Sequence, residues 1–258
     1  MKILIITEED EFYLPLCLDR FLKQNKHEVL EVVLARNPLT ANMFQTAKKF
    51  VLTFGLLPFF RHACRLLQAK LLDTFPFLNH TGRYFSIQRV CRAYKIPCCH
   101  AEKINAPNFL ERCRRLNPDL ILSISPTQIF KETLIQLPRY GCINIHTAKL
   151  PRYRGLYPTY WAMASGEKTI GISVHYIENG IDTGKIIVQD EIEIPPRTTM
   201  DFMLRETKLK AADLLLEAVR QIESGKVSAS YPQGDGSYFS FPTPESYKEF
   251  KKNGYELW

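Results

Sequence analysis

The arrangement of short apolar runs and helical spacings constrains this chain more than any other feature. Lys2 to Thr7 reads as a buried strand, Phe12 to Gln24 as a helix and Val29 to Ala35 as a second strand. The same alternation returns after Ser86, with a helix from Ser86 to Tyr94, a strand around Pro97 to His100, a helix from Pro107 to Leu116 and a strand from Leu120 to Ser123. Ser125-Pro126-Thr127-Gln128 has the S-x-x-Q capping pattern with Pro at the first helical position, so a helix is expected to about Leu137. A strand at Cys142 to Ile145, a helix around Thr159 to Ala164, strands at Gly171 to Ile177 and Lys185 to Ile194, and a long helix from Thr199 to Ser224 complete the pattern. Strands that alternate with helices imply an α/β fold whose mostly parallel sheet is flanked by helices. The first strand–helix turn lacks G-x-G-x-x-G, so dinucleotide binding has no support beyond fold analogy.

The candidate chemistry sits at the end of the Cys142 strand. Asn144 and His146 are two residues apart, and in a strand their side chains share a face. Ligands bind in open α/β sheets at the carboxyl ends of strands. Asp182 lies 38 residues beyond Asn144 in the loop Gly180-Ile181-Asp182-Thr183-Gly184. One amide, one imidazole and one carboxylate can serve acyl transfer, which needs donors for an oxyanion and a base for a proton. A lone histidine at a strand end is more often a polar core residue, and it is the company of Asn144 and Asp182 that argues otherwise.

The stretch from about Asp119 to Ile194 resembles the folate-dependent formyltransferases, a group that includes glycinamide ribonucleotide, methionyl-tRNA and sugar-nucleotide N-formyltransferases. The resemblance rests on Asn144-x-His146, on Leu150-Pro151-Arg152-Tyr153-Arg154-Gly155, on Asp182-Thr183-Gly184 and on the strand Thr169 to His175. Where the family often has Pro-Ser-Leu after the histidine, this chain has Thr147-Ala148-Lys149, a departure on the acceptor side. The resemblance implies a Rossmann-like formyltransferase fold, with Asn144, His146 and Asp182 catalytic and 10-formyltetrahydrofolate as co-substrate. It also implies a substrate side formed by Lys149, Arg154, Gly155 and His175, and a donor pocket along Leu122, Ser125, Ile129 and Gly180. A carboxylate beside His146 is expected to favour its protonated form. The leading reading is an N-formyltransferase acting on the amine of a small, anionic molecule, a nucleotide-linked amino sugar first. The alternatives are a methionyl-tRNA formyltransferase-like enzyme lacking the C-terminal tRNA domain, and a formyltetrahydrofolate hydrolase.

At 258 residues, one catalytic domain over 1–230 with an appendage over 231–258 is expected. The roughly thirty residues after the last long helix are too few for a nucleic-acid domain. Seven scattered cysteines suit a reducing cytoplasm. Cys98-Cys99-His100 lacks C-x₂-C spacing, so no metal is expected. The net charge of +7 is uneven: Arg36 to Lys95 carries ten basic residues against Asp73 alone. This insertion is expected to form helices on the sheet or a lid, or else a basic, aromatic surface in 50–72 that contacts a membrane or an anionic acceptor. A homodimer is also compatible with the sequence.

Overall fold

The computed structural model describes residues 1–38, 42–125 and 127–258. Seven strands form one sheet in the order β3-β2-β1-β4-β5-β7-β8. These are β1 (Lys2–Thr7), β2 (Glu28–Ala35), β3 (Cys98–Ala101), β4 (Leu120–Ile124), β5 (Cys142–His146), β7 (Thr169–Tyr176) and β8 (Ile186–Glu193). The first five are parallel, and β7 and β8 run antiparallel to their neighbours. The chain winds outward from β1 through β2 to β3, then returns to the other side of β1 with β4. The β1–β4 boundary is therefore the point where winding reverses, the usual place for a ligand crevice.

The strands are apolar on both faces because helices cover both. On one face Ile3, Ile5, Leu122, Ile143, Ile145, Ile172 and Val174 pack against α1 (Leu14–Gln24), α4 (Ile87–Ala93) and α8 (Met200–Glu223). On the other, Leu4, Ile6, Val33, Ile121 and Cys142 meet α5 (Pro107–Leu116) and α6 (Glu132–Ile135). Asp10 sits before α1: its carboxylate accepts the N–H of Leu14, the first helical residue, at 2.9 Å, and those of Phe12 and Tyr13 in the turn ahead of it.

The helix expected from Ser125 to Leu137 is reduced to the single turn α6, Glu132–Ile135. Pro126 lies outside the described residues. Ser125 has φ +56°, a left-handed conformation, whereas an N-cap needs extended backbone. Nor does Gln128 reach back to cap it. Its side chain holds three other backbone groups, accepting from Ile104 N–H at 3.1 Å and donating to the carbonyls of Arg36 and Glu102.

The basic segment, whose residues 39–41 are also outside the described set, folds as a helical hairpin, α2 (Met43–Phe54) and α3 (Leu56–Thr74). Several side chains anchor it to the body. Thr53 bonds the Pro242 carbonyl, Phe54 meets Tyr160 and Tyr247 edge-on, and Arg65 pairs with Asp201 and lies over the rings of Phe12 and Trp258.

The C-terminal residues join a third core cluster. Phe250, Tyr255 and Leu257 pack with Tyr160 and Met163 of α7 (Pro158–Ala164), and a two-residue strand β9 (Tyr238–Phe239) pairs in parallel with β6 (Arg154–Gly155).

Candidate active site

Register alone places a polar row across three strands. Ser123 of β4 is opposite Asn144 of β5, and Asn144 is opposite His175 of β7, so all three side chains share the face on which His146 also lies. Ser123 Oγ donates to Asn144 Oδ1 at 2.8 Å, which turns the amide nitrogen toward His175 Nε2 at 3.3 Å. His175 donates Nδ1–H to the Tyr176 carbonyl at 2.8 Å, and its Nε2 faces both the Asn144 amide and the Asp182 carboxylate.

Asp182 closes the group from the β7–β8 loop. Its Oδ2 accepts the Gly155 N–H at 3.0 Å and lies 3.7 Å from His146 Nδ1, while Oδ1 lies 3.5 Å from His175 Nε2. The carboxylate reaches this position because Asp182 takes up φ +53° and because Gly184 has no Cβ, which would meet the Tyr176 carbonyl oxygen at 1.9 Å. His146 is only 7% exposed and donates Nε2–H to the Tyr153 carbonyl at 2.8 Å. Its Nδ1 lone pair therefore faces the carboxylate.

Burial pushes the Asp182 carboxyl upward, but the two imidazoles and the Gly155 N–H outweigh it and hold the group well below the usual carboxylate range. For His146 the balance runs the other way: burial lowers its pKa and outweighs the pull of Asp182. The ground state is thus an ionised Asp182 beside a neutral His146. The expectation of a protonated His146 is corrected, because desolvation of a deeply buried imidazole exceeds the benefit of a carboxylate nearly 4 Å away.

The remaining expected residues divide. Gly155 and His175 touch Asp182 directly. Arg154 pairs with Tyr238 in the β6–β9 ladder, and its Nε is buried without a hydrogen-bond partner. Lys149 does not join the group, since its ammonium pairs with Glu191 of β8 at 3.0 Å. Leu122 is wholly buried in the core, Ile129 is 69% exposed on the loop after β4, and Gly180 has φ +123° in the loop before Asp182. Ser125 accepts a hydrogen bond from Lys208 Nζ at 2.8 Å.

Three neighbours of the site are not among the residues expected from sequence. Ser123 is a polar residue inside the apolar run Leu120 to Ile124, a signal that could have been used. Lys208 of α8 and Glu8 after β1 come together only through the fold, at the reversal point of the sheet. Burial lowers the Lys208 ammonium, against the opposing charges of Cys17, Asp10 and Glu8. Burial, then Asp10, pushes Glu8 up to about 7, against the Asn37 hydrogen bond and Lys208. Unfolded, Glu8 loses its proton near 4.5; folded, it keeps it until about 7. Stability should therefore fall as pH rises through that window. Glu8→Gln is expected to lessen the fall of the melting temperature between these pH values, with the remainder carried by Glu9, which burial also pushes up to about 7; an unchanged slope would contradict the assignment.

Among the described residues no group of three or more His, Cys, Asp or Glu side chains is placed to hold a metal ion.

A sequence profile described as formyl transferase matches residues 81–219, more than half of the chain. The chain belongs to the formyl transferase family. Within it, the chain is 38% identical over 143 residues to methionyl-tRNA formyltransferase of Syntrophus aciditrophicus, covering 55% of this chain and 46% of that protein. It is 30% identical over 152 residues to the methionyl-tRNA formyltransferase of Thermodesulfovibrio yellowstonii, covering 59% and 49%. The matched stretch thus spans about half the length of these relatives. Among solved structures the fold is similar to phosphoribosylglycinamide formyltransferase from Bacillus halodurans, with TM-score 0.60 and 15% identity over 87% of this chain and 96% of that one. It is also similar to an N-formyltransferase from Helicobacter canadensis complexed with folinic acid and dTDP-3-aminofucose, with TM-score 0.57 and 19% identity over 93% of this chain and 71% of that one.

Proposed function

We propose that the chain transfers the formyl group of 10-formyltetrahydrofolate to the amine of a small molecule, with a nucleotide-linked amino sugar as the acceptor class. The observation that carries the reading is the convergence of Asn144, His146, His175 and Asp182 on one sheet face in a family member. Attack of the neutral amine on the formyl carbon forms the new C–N bond and moves the carbonyl pair onto oxygen. The second N–H of Asn144 Nδ2, the one not directed at His175, is the donor for that oxyanion. The proton leaving the amine goes to the Asp182–His146 pair, whose Oδ2 and Nδ1 face each other, and returns to the folate nitrogen as its C–N bond breaks. The pterin would lie along the two loops that expose Ile129 and Ile181, which offer apolar contacts to a flat ring.

The amino-sugar acceptor is favoured by the dTDP-3-aminofucose bound in the Helicobacter canadensis relative. A second reading, transfer to methionyl-tRNA, draws on the higher identity to methionyl-tRNA formyltransferases. Incubation with 10-formyltetrahydrofolate and either a nucleotide-linked amino sugar, charged initiator tRNA or buffer, following tetrahydrofolate release and product mass, separates these from hydrolysis. Faster formylation of the tRNA rejects the small-amine reading, and release without acceptor makes the chain a hydrolase.

Ser123 positions Asn144 without touching substrate. Ser123→Ala is expected to lower kcat about tenfold, the worth of one buried hydrogen bond, with little change in KM. A rise in KM with kcat intact would contradict that role.

A further inference from the structure

The hairpin α2–α3 turns an apolar stripe toward solvent. Among the described residues, eleven of the seventeen exposed large hydrophobic side chains fall between Met43 and Leu78. On α3 they recur at helical spacing: Leu56, Phe60, Leu67 and Leu71 are 64%, 62%, 70% and 50% exposed, and Cys64 fills the remaining step. At about 3.6 residues per turn these positions form one continuous stripe along the helix. The opposite face is held down by the buried Ala69 and by Arg65, bound to Asp201, so the stripe cannot turn inward. Between Phe60 and Trp258 it opens into a depression of about 480 Å³, also lined by Arg61 and Cys64.

Charge identifies what covers this face. Lys48, Lys49 and Arg61 are exposed and form no salt bridge among the described residues. The one acid of the hairpin, Asp73, is occupied by Arg89 and Ser86. A second copy of the same surface would bring these cations against one another. No helix among the described residues is long and apolar enough to cross a membrane. An amphipathic helix with an apolar stripe, flanking cations and almost no acid has the character of one that lies in the plane of a lipid interface. We propose that α2 and α3 dock the protein on an anionic membrane surface, with the α3 stripe among the acyl chains and Lys48, Lys49 and Arg61 among the headgroups.

The hairpin also borders the site. Phe54 of α2 touches Phe241, and Phe241 meets Tyr157 edge-on, two residues beyond the Gly155 that holds Asp182. The proposal does not depend on the reaction, since vesicle binding is read without turnover.

The test is co-sedimentation of the full chain with vesicles of phosphatidylcholine plus phosphatidylglycerol, beside pure phosphatidylcholine. Binding to the anionic vesicles that weakens with salt is expected. Lys48→Gln and Lys49→Gln should each weaken it about fivefold. Leu56→Glu, Phe60→Glu and Leu67→Glu together should lower partitioning by more than about 100-fold, with an unchanged thermal melt because all three side chains already face solvent. Protein that stays in the supernatant with anionic vesicles overturns the proposal, as does equal binding to neutral vesicles. Concentration-dependent dimerisation that the triple glutamate variant abolishes, without vesicle binding, assigns the face to a second copy instead.

Discussion

Asp182→Asn and His146→Ala are each expected to reduce kcat/KM for formyl transfer by ~10²–10⁴-fold, the usual range for removing a general base or a charge that stabilises the transition state. The fold should survive Asp182→Asn because the amide keeps an oxygen for the Gly155 N–H. The pH profile tells the two residues apart. Burial holds the His146 pKa below its ordinary 6.5, so the acid limb of the wild-type rate should lie below that pH. Asp182 is what raises His146 toward 6.5, so in the residual activity of Asp182→Asn the limb should move to still lower pH. Near-normal turnover in both well-folded variants would remove these residues from the mechanism. A limb that shifts upward in Asp182→Asn would reverse the proposed coupling.

Gly155→Ala is expected to act on both stability and rate. The residue sits at φ +92°, and an added Cβ would meet the Phe239 carbonyl oxygen at 2.3 Å and the Tyr238 ring at 2.9 Å. Backbone does not yield to such an approach as a flexible side chain can, so β6 and β9 must both move apart. The left-handed conformation and the overlap each cost about 1–3 kcal/mol. The same displacement pulls the Gly155 N–H away from Asp182, and kcat should fall about tenfold or more for loss of a hydrogen bond to a charged group. Thermal melting and steady-state kinetics on one preparation check both effects. A variant with wild-type stability and rate would show that the β6–β9 contact adapts and does not set the position of Asp182.

Much of the fold was legible because buried strands and amphipathic helices write their period directly into the chain. The βαβ opening, the apolar strands around Leu120 and Cys142 and the long helix ending near Ser224 all came from local patterns. The same-face placement of Asn144 and His146 follows from the two-residue period of a strand and needed no tertiary information. The helix expected after Ser125 shrinks to one turn because a capping pattern is only a local preference. Here Gln128 found better partners in Ile104, Arg36 and Glu102, far along the chain, and Ser125 entered the left-handed region.

By itself, then, the sequence determined the α/β alternation, the shared face of Asn144 and His146 and the family signature around them. Tertiary structure decided what joins that face and in which state. Register across β4, β5 and β7 brought Ser123 and His175 beside Asn144, and the hairpin loop before Gly184 carried Asp182 to His146. Protonation was decided there too, since the cost of charging His146 depends on how completely neighbours from distant parts of the chain exclude water. The direction of the α3 stripe has the same origin. Helical spacing makes a face apolar, but only the packing of Ala69 and Arg65 against the body decided that this face would remain outside.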